Sequence, residues 1–142
     1  MNSKAIARGV LAIGACVVLS GPAFAEKISM KANLTSAAEV PPNTSPGKGT
    51  ADVTYDTASK MLTWKTTYSG LTGPATMAHF HGPAEAGKNA PVVIPFKDAA
   101  SGAEGSATLT DAQAADLMAG KLYINVHTAA NPGGEIRGQV TK

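Results

Sequence analysis

The sequence runs to 142 residues, 44% of them hydrophobic and 15% charged, with a formal net charge of +2 and one cysteine. Its Lys and Arg are scattered, so it lacks the basic patch that nucleic acid or an anionic membrane surface calls for, where neutralising phosphates dominates affinity. A lone cysteine excludes a disulfide framework and a multi-thiolate metal site.

The chain opens with Lys4 and Arg8, an apolar run over 10–19, and the small-x-small tripeptide Ala23-Phe24-Ala25. This pattern predicts a signal peptide over residues 1–25, with cleavage after Ala25. The run is about half of the ~20 residues a membrane-spanning helix needs. No later apolar run is longer, so the mature chain is expected to carry no transmembrane segment and to work in the periplasm or outside the cell. Cys16, after Ile13-Gly14-Ala15, offers a competing cut followed by lipidation. That cut would shorten the apolar run to about four residues where ~7–15 are usual, so cleavage after Ala25 is preferred. Cleavage there removes Lys4, Arg8 and Cys16, leaving a neutral, thiol-free chain. Residues 26–142 suit one domain with one core.

Along the rest of the chain, Gly and Pro punctuate short runs rich in Thr, Val, Ile and Tyr that alternate apolar with polar, the pattern of an all-β sandwich or barrel. Strands are expected over 27–34, 49–55, 61–68, 76–81, 92–96, 105–109, 121–128 and 135–140, with turns at Pro41-Pro42, 56–60, 70–74, 82–90 and 131–134. One helix is expected over 111–119, capped by Thr110 and stopped by Gly120. On its strand Trp64 is expected to anchor the core beside Leu62. Glu39 is expected to tie the Pro41-Pro42 turn to the sheet through a backbone N–H or Arg137, and Gly133-Gly134 to supply a positive φ.

Side chains alternate faces along a strand. With Leu122, Ile124 and Val126 facing the core, Tyr123, Asn125 and His127 face outward. With Ala78 and Phe80 inward, Met77, His79 and His81 face outward. Ile136 and Val140 turn inward, and Glu135, Arg137 and Gln139 outward. Every histidine of the chain thus falls on one outer face, provided these strands are neighbours.

Several blocks carry a family resemblance: Leu34 followed by Glu39-Val40-Pro41-Pro42, then Gly70-Leu71-Thr72-Gly73, Ala78-His79-Phe80-His81-Gly82-Pro83, Gly120-Lys121-Leu122-Tyr123-Ile124-Asn125-Val126-His127-Thr128, and Pro132-Gly133-Gly134-Glu135-Ile136-Arg137-Gly138-Gln139-Val140. Their order resembles the CHRD domain, a module named after chordin and also found as a single exported domain in bacteria. The resemblance covers nearly all of 26–142. It implies a Greek-key, immunoglobulin-like β-sandwich of about 7–9 strands with one short connecting helix, outside the cytoplasm. It does not imply a defined activity, and the growth-factor binding of a multidomain animal protein does not carry over.

Two histidines at i and i+2 on one strand project from the same face roughly 6.5–7 Å apart, near enough for both rings to turn onto one ion. A third from a neighbouring strand completes the set, so His79, His81 and His127 are the candidate metal ligands, with Asn125, Glu135, Arg137 and Met77 as supporting residues. Imidazole without thiolate suits copper or zinc, and the Met77 thioether would suit Cu⁺. The competing reading makes the histidines architectural, bonding the 82–90 loop and the 132–135 turn, in an envelope or matrix module that contacts a protein or polysaccharide.

A copper–zinc dismutase would need more histidines, a bridging ligand and a disulfide. G-x-S-x-G, a cysteine nucleophile and a phosphate-cradling glycine loop are all missing from the sequence. The expected function is therefore non-enzymatic metal binding, ahead of the structural module and of a redox metalloenzyme.

Overall fold

A computed structural model describes residues 24–142. The apolar run and Cys16 lie outside the described residues, as does most of the expected signal peptide. Eight strands form: β1 (Lys27–Thr35), β2 (Lys48–Asp56), β3 (Met61–Ser69), β4 (Ala75–His81), β5 (Val92–Pro95), β6 (Glu104–Thr108), β7 (Tyr123–Thr128) and β8 (Ile136–Gln139), with helix α1 (Asp111–Met118) between β6 and β7. Each expected strand and the expected helix is present, with ends shifted by at most two residues. Among the described residues no helix is long and apolar enough to cross a membrane.

The β1–β2–β3 meander is built by alternation. Met30, Ala32 and Leu34 of β1, Ala51, Val53 and Tyr55 of β2, and Leu62 and Trp64 of β3 are buried, while the residues between them face mostly outward. The β2–β3 turn is set by Asp56, whose carboxylate accepts the N–H groups of Ala58 and Ser59. This is the local bond that lets Asp open a turn. Helix α1 carries a capping box: the Thr110 hydroxyl accepts the Gln113 N–H, and the Gln113 side chain accepts the Thr110 N–H. Its Leu117 plugs into the core, and Gly120, at φ +70°, ends it.

All strand pairs are antiparallel, in the order β5-β4-β7-β8-β1-β2-β3-β6. Hydrogen bonding therefore gives one open eight-stranded sheet, nearly barrel-like, because the sheet curls until its two ends meet. Trp64, near one end, meets Phe80 of β4 edge-on, with ring centroids 5.0 Å apart, and lies 4.9 Å from Phe96. The indole crosses Gly105 of β6, where any Cβ would collide with it. A glycine in that strand is explained by the close approach.

The seam of the sheet lies between β1 and β8, joined by the Thr35–Arg137 pair and a bridge between Lys31 and Thr141. There Gly138 of β8 backs directly onto the main chain of Asn33.

Candidate metal centre

Strands β4 and β7 are hydrogen-bonded neighbours, so the adjacency on which the histidine cluster depends is present. Their register sets Met77 opposite His127, His79 opposite Asn125 and His81 opposite Tyr123. Strand β8 extends two of these rows, with Arg137 beside Asn125 and Gln139 beside Tyr123. Directly opposed residues share a face, so the block of side chains expected on one face of these strands is assembled as read.

That face is not a surface. All six residues of β7 are buried, Glu135 is fully buried and Arg137 nearly so, while His81 and His127 are buried and His79 is half-buried. The expectation of a surface histidine cluster is therefore corrected. The 82–91 segment lies over it, anchored by Ala90, and a second segment around Glu39 and Val40 joins it where the Asn89 side chain donates to the Val40 carbonyl. Strand alternation says which face a residue takes, and not what covers that face.

One nitrogen from each of His79, His81 and His127 lies within 4.8 Å of the other two. Zinc–nitrogen bonds of roughly 2.0–2.1 Å would put the ligands of a tetrahedral ion roughly 3.3 Å apart, so modest ring rotation closes the set. His79 Nδ1 and His127 Nε2 are already 3.0 Å apart.

Backbone carbonyls orient two of the rings. His127 Nδ1–H donates to Pro132 O at 2.9 Å, and His81 Nδ1–H donates to Ala90 O at 2.9 Å. Each bond puts the ring proton on Nδ1 and leaves the Nε2 lone pair turned inward, the arrangement that metal-bound histidines adopt. Burial, with the neighbouring imidazoles adding to it, pulls the pKa of His79 below the usual histidine value. For His81, burial again comes first and outweighs the Ala90 bond that favours the charged ring. Both rings are thus biased toward the neutral form that binds metal.

The supporting residues divide. Tyr123 backs His81: the two rings stack at 4.9 Å, 5° from parallel. Arg137 sits on the other side of Tyr123, its guanidinium carbon 3.4 Å from the ring centroid, and is held by Asn89 and the Lys88 carbonyl. Met77 is exposed at the rim, directly across from His127.

Glu135 bonds elsewhere. Its carboxylate accepts from Ser45, Thr72, Thr128 and Asn131. Burial alone would raise its pKa, but these donors outweigh that and hold it at about 2. Glu39 is buried with Oε1 unpartnered, and burial pushes its pKa to about 7 despite the attraction of Arg137. Gly134 has the positive φ expected of it, at +128°.

Sequence reasoning missed the two carbonyls, Ala90 O and Pro132 O, that orient the rings. The turn signals around them marked irregular backbone, but a carbonyl's direction leaves no mark on side-chain pattern.

The family model described as the CHRD domain matches residues 30–140. No curated protein and no solved structure matches the chain.

Proposed function

The chain belongs to the CHRD domain family, and from that premise we propose that it is an exported, non-enzymatic domain that binds a transition metal, copper or zinc, through His79, His81 and His127. The observation that carries this reading is the inward convergence of three imidazoles, two of them turned by backbone carbonyls so that Nε2 keeps its lone pair. Architectural histidines would spend both ring nitrogens on the fold. His81 Nε2 instead is buried with no hydrogen-bond partner, a costly arrangement unless something binds there.

Copper and zinc are favoured because the donors are imidazoles. The exposed Met77 thioether, on the row directly across from His127, is a soft donor that suits copper. Export follows from the N-terminal pattern of charge, apolar run and Ala23-Phe24-Ala25. We also read the thin β1–β8 seam as a crease that divides the sheet into the facing halves of a Greek-key, immunoglobulin-like sandwich.

The test is titration of the metal-free protein, residues 26–142, with Zn²⁺ and with Cu²⁺ by calorimetry. Uptake of one ion per chain is expected, and no saturable uptake of either ion removes the reading. An envelope or matrix module with architectural histidines is the second reading. It is favoured by the way His81 and His127 tie down the 82–91 and 131–134 segments, and it predicts loss of stability without any metal uptake when either is replaced.

A further inference from the structure

Among the described residues, the buried side-chain atoms with no hydrogen-bond partner are Glu39 Oε1, Thr66 Oγ1, His81 Nε2 and Asn125 Oδ1. Two of these belong together. Asn125 lies opposite His79 in the β4–β7 register and on the same face of β7 as His127, so its amide shares the face that carries the three imidazoles.

The direction of that amide can be read from its surroundings. A Cβ placed on Gly134 would stand 2.8 Å from Asn125 Nδ2 and 2.5 Å from Glu39 Oε1, so the NH₂ end points to the side where the carboxyl group lies. Oδ1 therefore faces the other way, toward the His81 ring, with which it could bond only if Nε2 carried a proton. Because His81 Nδ1–H is taken by Ala90 O, a neutral ring offers only a lone pair at Nε2. Two buried acceptors then face each other, neither with a protein donor.

A cation that takes both lone pairs satisfies such a pair. The three imidazole nitrogens that lie within 4.8 Å of one another supply the rest of that cation's site. We propose that Asn125 Oδ1 is the fourth ligand of the metal ion, so that the centre is a closed, four-coordinate set of three imidazole nitrogens and one amide oxygen. The inference rests on the metal-binding reading above and adds to it. A site with all four positions filled by protein holds an ion, whereas catalytic sites keep one position for water or substrate. The closed set thus accords with a binding protein in preference to an enzyme.

Cobalt(II) is the probe, because its visible absorption distinguishes four-coordinate from five- or six-coordinate sites. Wild-type protein is expected to bind one Co²⁺ with the intense spectrum of a four-coordinate ion. Asn125→Leu, similar in size but without the oxygen, should bind roughly 10–100-fold more weakly and lose that spectrum. Asn125→Asp, which restores an oxygen at the same place, should keep the spectrum and bind at least as tightly as wild type. Circular dichroism reports whether each variant is folded. Should Asn125→Leu fail to fold, Asn125→Asp decides alone: a folded variant without the four-coordinate spectrum overturns the proposal. If Asn125→Leu matches wild type in affinity and spectrum while His79→Ala has lost both, Asn125 is not a ligand and the three-histidine site stands. Failure of wild type to bind Co²⁺, Zn²⁺ or Cu²⁺ removes both readings.

Discussion

His79 Nδ1 on β4 lies 3.0 Å from His127 Nε2 on β7. Since His127 Nδ1–H is committed to Pro132 O, the proton in this contact belongs to His79. An ion entering the cluster replaces that N–H···N bond with two metal–nitrogen bonds, the His79 proton passing from Nδ1 to Nε2 as the neutral ring changes tautomer. The contact thus marks where a metal enters, and it separates the roles of the three rings.

The His79 ring has no bond to the backbone among the described residues, and it is the least buried of the three. His79→Ala is expected to abolish metal uptake while leaving the metal-free melting temperature within a few degrees of wild type. Calorimetric titration and thermal melting of the same sample check this. His81→Ala should lose uptake and also destabilise the metal-free fold, because Ala90 O loses a donor and Tyr123 its stacked neighbour. The cost expected is about 1–3 kcal/mol. If His79→Ala retains uptake, the ligand set is wrong.

A metal that binds only the folded state raises stability by mass action, about 2.7 kcal/mol when free ion reaches 100 times its Kd. Melting should rise with added Zn²⁺, and a chelator should reverse the rise. A melting temperature indifferent to both would contradict a site made only in the folded chain.

Glu39, with its pKa raised to about 7 by burial against an ordinary value of 4.5, holds its proton more tightly when folded than when unfolded. Its contribution is fully present below the unfolded value and is lost as pH rises through the folded one, so it makes the protein less stable between about pH 4.5 and pH 7. Glu39→Gln stays neutral and should remove this loss, gaining about 1–3 kcal/mol relative to wild type at pH 8. Denaturant unfolding at pH 5 and pH 8 measures the difference. An equal effect at both pH values would exclude titration of Glu39.

Glu135 has the opposite sign. Its folded pKa of about 2 lies below its ordinary 4.5. The stability it contributes is present above the unfolded value and is lost as pH falls toward 2. Glu135→Gln should therefore flatten acid denaturation between pH 4.5 and pH 2 while lowering stability at neutral pH. Wild-type acid sensitivity in the variant would show that other carboxylates carry it.

Gly134 stands at φ +128°, and a Cβ there would press on the Glu39 carboxyl and the Asn125 amide. Gly134→Ala should cost about 1–3 kcal/mol through backbone strain alone. It should also weaken metal binding by displacing Asn125. Unchanged affinity in a destabilised variant would detach the amide's position from the site.

Much of this protein was legible in its sequence. Strand alternation assigned Leu122, Ile124, Val126, Ala78 and Phe80 to the core, and each is buried. Thr110 and Gly120 marked the helix ends because capping is a bond between near neighbours in the chain. The same period of two gathered His79, His81 and His127 on one face, since the direction of a strand side chain is a local property.

What that face meets is not local. Its burial beneath 82–91 and the segment around Glu39, and the donation to Glu135 from Ser45 and Thr72, arise from contacts between residues tens of positions apart. The β4–β7 register places Asn125 on the face that carries the imidazoles, and the loop carbonyls of Ala90 and Pro132 turn the His81 and His127 rings. Residue types and strand faces came from the sequence by itself. Only the tertiary fold decided that the histidines lie in a covered cleft with their lone pairs turned toward one point, because the direction of a backbone carbonyl depends on the path of the whole loop.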